Sequence, residues 1–163
     1  MWRYIAHPCT MVKVIDMRYL SIDETDYIKS IANIHEHIPT IYDTGKKVTS
    51  LEISLRYESI RLLMHHRGDQ IIIIEDNRQL CAFIWFSLND SLHIKSTYVC
   101  KQFRNKGFAT QLKVQVERIA KSKNIKQIFC DVDRRNEPMR QLNLKLGYKS
   151  INNSTKMIKI VEV

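Results

Sequence analysis

Apolar and polar positions follow two different periods along this chain. "VKVIDMRYL", residues 12–20, alternates and predicts a first strand. "SIDETDYIKSIANIHEH", residues 21–37, carries apolar residues at helical spacing behind Ser21 and Asp23, either of which can serve as N-cap. "IPTIYDTGKKVT" reads as a loop. "SLEISLRYESIRLLMHHR" reads as a second helix, with Leu51, Leu55 and the Leu62–Leu63 pair near one face and Gly68-Asp69 ending it.

Three strands then come in quick succession. "QIIIIED" is continuously apolar and β-branched, the pattern of a strand buried on both faces. "NRQ" turns the chain into "LCAFIWFSL", and "NDS" turns it into "LHIKSTYVC". Such short connections make this part of the sheet antiparallel. A long helix opens after Gly107, with Ala109, Leu112, Val116, Ile119 and Ala120 forming one stripe. "KQIFCDV" is a further strand. "NEPMRQLNLKLG" is the last helix, capped by Asn136, burying Met139, Leu142 and Leu146, and stopped by Gly147. "YKSINNSTKMIKIVEV" supplies one or two closing strands. The order β-α-α-β-β-β-α-β-α-β predicts an α/β fold: a mixed, mostly antiparallel central sheet flanked by about four helices.

The 163 residues suffice for one domain with its own core. No apolar run is long enough to span a membrane, and "MWRYIAHPCT" lacks the apolar centre of a signal peptide, so a cytoplasmic protein is expected. Cys9, Cys81, Cys100 and Cys130 show no paired spacing, consistent with buried or neutral thiols in a reducing compartment. The pairs "HEH" at His35–His37 and His65–His66 lack zinc spacing and read as solvated helix ends; no metal is expected. Charge changes the picture more. Residues 1–100 hold 11 Lys+Arg against 12 Asp+Glu, whereas residues 101–163 hold 15 against 5. The basic half points to an anionic ligand or partner.

The turn "QFRNKGFAT" is where an anion would sit. A helix N-terminus presents unpaired N–H groups and the positive end of the dipole. Gly107 lets a bulky anion approach the backbone, and Arg104 and Lys106 add charge beside it. The stretch is neither a P-loop nor a Rossmann turn.

The segment "YVCKQFRNKGFATQL" resembles the acyl-CoA-binding segment of the GNAT superfamily of N-acetyltransferases, whose pattern [RQ]-x-x-G-x-[GA] is matched by Arg104, Gly107 and Ala109. "VDRRNEPMRQLNLKLGY" resembles that family's second signature, N-x-x-A-x-x-L-Y-x-K-x-G-[FY], at Asn136, Leu142, Lys145, Gly147 and Tyr148. Met139 replaces the usual alanine and Asn143 the usual tyrosine. The likeness is specific over about residues 92–150 and topological over residues 11–91. It implies a single-domain GNAT fold over residues 11–163 behind a short extension, residues 1–10, with Met11 an alternative start.

The resemblance further implies acetyl-CoA as cosubstrate. It assigns Thr97, Tyr98 and Val99 to pair with the pantetheine amides. It assigns the loop Arg104, Asn105, Lys106, Gly107, Phe108, Ala109 and Thr110 to the pyrophosphate, and Asn136 to the pantetheine arm. The implied reaction is direct transfer of an acetyl group to a primary amine, with a strand N–H near Val99 polarising the carbonyl. The acceptor is a small molecule, a protein amine or an aminoacyl-tRNA, and members are often homodimers. Asp131 is the leading candidate for the base, with His93 second. Asn143 cannot supply a phenolic proton to the leaving thiolate; Tyr98 is a candidate replacement, whereas Tyr148 reads as core. The alternative from another class is a non-catalytic acyl-CoA-binding or nucleic-acid-associated module on the same scaffold. The acceptor pocket is expected from "IPTIYDTGKKVT" and the helices beside it.

Overall fold

The computed structural model of the chain describes residues 15–162. The 1–10 extension, Met11, Cys9 and the first part of the expected opening strand lie outside the described residues. The strands and helices are β1 (Asp16–Tyr19), α1 (Thr25–His37), α2 (Ser50–Arg67), β2 (Gln70–Asp76), β3 (Gln79–Leu88), β4 (Leu92–Val99), α3 (Phe108–Ser122), β5 (Gln127–Asp131), α4 (Glu137–Lys145), β6 (Lys149–Ser150) and β7 (Lys156–Ile160). Short 3₁₀ turns cover Ile38–Ile41 and Lys101–Phe103.

The strands form one sheet in the order β1-β2-β3-β4-β5-β7-β6. Every adjacent pair is antiparallel except β4–β5, which is parallel because α3 crosses between them. Two cores cover the two faces. One contains Ile72, Ile84, Phe86, Ile94, Leu112, Val116 and Ile128 under α3 and α4. The other contains Ile28, Ile31, Ile60, Ile73, Phe83 and Trp85 under α1 and α2. β2, β3 and β4 pass between them, which is why the sequences of β2 and β3 are nearly unbroken apolar runs.

Two local expectations are corrected. α1 has no side-chain N-cap: Ser21 and Asp23 both precede its first turn. Glu24, the residue at its entry, is held instead by Arg18 at 2.7 Å. α2 turns Ile53, Tyr57, Ile60, Leu63 and Met64 to the core. Leu51, Leu55 and Leu62 lie on the opposite, exposed face. A capping box starts this helix, with Thr49 and Glu52 exchanging side-chain and backbone hydrogen bonds.

The ladder between β3 and β4 slips by one residue. Trp85 pairs with Ser96 and Phe86 with Ile94, so Lys95 has no partner on β3 and forms a bulge. A one-residue slip exchanges the faces of a strand. Ile94 accordingly packs under α3 and α4 together with Val99, whereas Tyr98 joins the α1/α2 core.

Candidate active site

β4 and β5 pair only from Leu92–Ile128 to Ile94–Cys130. Past that point β4 runs on to Val99, while β5 ends at Asp131. The strands therefore part, and one edge of residues 95–99 has no neighbouring strand among the described residues. The direction of its backbone groups is set by the ladder. Cys100 N–H bonds to the Cys81 carbonyl at 2.8 Å, which makes these two a hydrogen-bonded pair. Antiparallel pairs alternate, so Tyr98 and Ser96 turn their N–H and C=O groups to β3. Thr97 and Val99 turn theirs into the opening. The Val99 carbonyl is met there by Arg104 Nε at 3.1 Å.

The loop after β4 carries the second half of the site. Asn105 has φ 60° and Gly107 φ 79°, so left-handed residues alternate with Lys106 and gather successive N–H groups into a concave nest. Among the described residues, none of the six N–H groups from Asn105 to Thr110 has an intramolecular acceptor; Gln111 is the first, bonded to the Gly107 carbonyl at 3.0 Å. A Cβ built on Gly107 would meet nothing within 4 Å, so the space before the nest is open. Arg104 lies 5.6 Å over the Tyr98 ring and Lys106 5.4 Å over Phe103, which keeps both cations beside the nest. These features fit a diphosphate carried on an extended amide-containing arm.

Where the strands part there is a cavity of about 190 Å³, lined in part by Lys95, Ser96, Thr97, Lys113, Asp131 and Asn136. Ile38, Pro39 and Tyr42, from the loop after α1, also line it. Asp131 is exposed and accepts a 3.4 Å hydrogen bond from Thr155. Asn136 caps α4 by accepting from Met139 N–H at 3.3 Å and reaches the same cavity. Asp133 is held down at about 2 by Arg135, whose guanidinium bonds it through two nitrogens. Arg135 also donates to the Tyr42 carbonyl, tying the loop after α1 to the cavity.

His93 does not line the cavity. It stacks on Phe129 at 4.3 Å. His35, which the sequence placed on a solvated helix end, lines the cavity instead. Its ring packs edge-on to Trp85 at 5.4 Å, its Nδ1 is buried without a partner, and burial, with Arg56 nearby, pushes its pKa down. Trp85 Nε1 and Lys95 both donate to Asp69, at 2.7 Å and 2.6 Å, fixing that wall. Cys100 is half-buried and its thiol is pushed up by burial, unlike an activated nucleophile.

Two polar residues are buried here: Asn143, read from the sequence as a departure from the family pattern, and Lys113, which the sequence reading missed. Asn143 is 0% exposed and gives its amide N–H groups to Cys130 Sγ and Met157 Sδ, at 3.4 Å and 3.5 Å. Lys113 is 3% exposed on the apolar stripe of α3. Tyr148 is core, as expected, and burial holds its hydroxyl well above the usual phenol range. Among the described residues no group of three His, Cys, Asp or Glu could hold a metal, and no helix is long and apolar enough to cross a membrane.

The model of the Acetyltransferase (GNAT) family matches residues 30–148. A structure assigned to the GNAT acetyltransferases from Staphylococcus aureus subsp. aureus is 45% identical, covers 69% of this chain and 96% of its own, and superposes with a TM-score of 0.64. The PaiA N-acetyltransferase of Thermoplasma acidophilum, solved with coenzyme A, is 18% identical over 90% of this chain and 99% of its own, with a TM-score of 0.69. A protein assigned as an acetyltransferase from Clostridium acetobutylicum, solved with acetyl-CoA, is 16% identical over 86% and 93%, also at 0.69. These last two likenesses are of fold. A search of curated proteins finds no match.

Proposed function

Because the chain belongs to the GNAT acetyltransferase family, we propose that it uses acetyl-CoA and moves the acetyl group directly onto a primary amine. The observation that carries this reading is the nest: six N–H groups without acceptors, from Asn105 to Thr110, beside a strand edge without a neighbour. A family of acetyltransferases also weighs against the non-catalytic alternative.

When bound, acetyl-CoA supplies an acetyl group already activated as a thioester. The nest donates to the diphosphate, and Arg104 and Lys106 balance its charge. Thr97 and Val99 pair with the amides of the pantetheine arm as an added strand would. Asn136 contacts that arm from the start of α4. The Thr97 and Val99 N–H groups point into the opening, where either would stabilise negative charge on the acyl oxygen as the amine attacks. Closing the two reactants into one cleft supplies much of the acceleration.

The acceptor enters past Pro39, Tyr42 and His35. Asp131 and Asp133 favour a cationic amine at that mouth, and Asp131 takes the proton that the ammonium form must lose before it can attack. The acceptor class is a small-molecule amine, a protein amine or an aminoacyl-tRNA. The test is to incubate the protein with acetyl-CoA and a panel of such amines and measure free thiol. Amine-dependent thiol release, reduced about 10²-fold or more in Asp131→Asn, is the expected result. Thiol release that no amine stimulates would contradict the reading.

A further inference from the structure

The buried stripe of α3 is Phe108, Leu112, Lys113, Val116, Ile119 and Ala120, and a lysine is out of character in it. Lys113 forms no ion pair among the described residues. Glu117, one turn on, is already engaged by Lys159 at 2.5 Å and Lys121 at 3.3 Å. The groups facing Lys113 are the Tyr148 ring, 5.1 Å from its Nζ, and the Cys130 thiol on β5, itself contacted by Asn143. Burial pushes the lysine pKa down, with Cys130 opposing. A methionine would fill this volume without the cost of burying an amine. The lysine nevertheless lines the cavity, as Thr97 and Asn136 do.

Its position meets a deficit elsewhere. Asn143 stands where the family pattern has a tyrosine, and its amide is turned to Cys130 and Met157. It has no acidic proton for a departing sulfur. Lys113 projects from α3 towards this same buried cluster. We propose that Lys113 is a catalytic residue of the acetyl transfer, relaying a proton from the acceptor nitrogen to the departing sulfur.

The step balances without a further reactant. As the acceptor nitrogen bonds to the acyl carbon, it loses one proton to the neutral Lys113 amine. The C–S bond breaks with its electron pair on sulfur. The Lys113 ammonium then gives up the same proton, an S–H bond forms, and the amine is neutral again. A lysine pushed down by burial gives up its proton more readily than an exposed one, which suits it to hand the proton on. This division leaves Asp131 the earlier proton, from the acceptor's ammonium form. The inference rests on the acetyl transfer proposed above.

The test is Lys113→Met, which keeps the volume and removes the amine. The variant is expected to unfold at the same temperature as the wild type or higher, and to keep its thermal shift with acetyl-CoA. Its amine-dependent thiol release should fall about 10²-fold. With an acetyl thioester of a markedly more acidic thiol, which needs no proton to leave, the loss should shrink to less than about fivefold. A second measurement does not depend on turnover: pulse labelling of the wild type with acetic anhydride, read by mass spectrometry. Coenzyme A should protect Lys113 and leave Lys121, 49% exposed, unchanged. A Lys113→Met variant that binds acetyl-CoA and keeps its rate within about threefold would overturn the proposal, as would labelling of Lys113 indifferent to coenzyme A. A wild type that neither binds acetyl-CoA nor releases thiol would overturn the acetyl-transfer reading itself, and this proposal with it.

Discussion

Arg104 Nε donates to the Val99 carbonyl at 3.1 Å, joining the first residue of the anion loop to the last residue of β4. The bond ties together the nest and the free strand edge, which arise from different elements. Arg104→Ala should weaken acetyl-CoA binding about tenfold, because it removes a cation beside the nest and loosens its attachment. The side chain is exposed, so folding stability should change by less than about 0.5 kcal/mol. Calorimetric titration and urea unfolding of the variant check the two halves.

Asp69 fixes the opposite wall. Its side chain is 1% exposed and accepts from both Trp85 and Lys95. Removing one member of such a cluster strands the others, so Asp69→Ala should cost about 3 kcal/mol. Asp69→Asn, which keeps an acceptor but not the charge, should cost less. Urea unfolding at pH 7 separates the two.

The pH dependence of stability should fall into two windows. His35 and His93 are both pushed down from 6.5 by burial. Below about pH 6.5 the unfolded chain therefore binds protons that the folded chain resists, and stability falls as pH falls. Above that range neither form is charged and the effect vanishes. Glu24 and Glu75 are pushed down from 4.5, chiefly by hydrogen bonds from Arg18. Their contribution is present above about pH 4.5 and lost as pH falls through their lower folded values. The double variant His35→Gln, His93→Gln should flatten the curve between about pH 4.5 and 6.5 and leave the more acidic limb, whereas Arg18→Met should flatten the acidic limb. Thermal unfolding from about pH 2 to 8 reads both.

Much of this architecture is legible before any coordinates. The run "QIIIIED" marks β2 at its observed bounds because continuous β-branched residues suit a strand covered on both faces. Gly107 marks the start of α3 because a left-handed residue is needed there. What the sequence concealed has physical causes. α2 carries apolar residues on two opposite faces, and helical period alone cannot say which one meets the sheet. Lys95 is an ordinary strand residue in sequence, and only pairing with β3 exposes it as a bulge. Lys113 was passed over because apolar stripes are read by skipping polar residues. His35 looked solvated because its burial comes from Trp85, about fifty residues away in the chain.

The most direct test of the acetyl-CoA cradle is thermal unfolding with and without acetyl-CoA, for the wild type and for Gly107→Glu. The variant adds a carboxylate in the open space before the nest and strains a residue at φ 79°. Ligand at about a hundred times its dissociation constant should stabilise the wild type by roughly 2.7 kcal/mol. In a domain of this size that is a shift of roughly 5–10 °C. The expected result is this shift in the wild type and its loss in the variant. No shift in the wild type, or an equal shift in both, would contradict the assignment of the loop from Asn105 to Thr110 as that cradle.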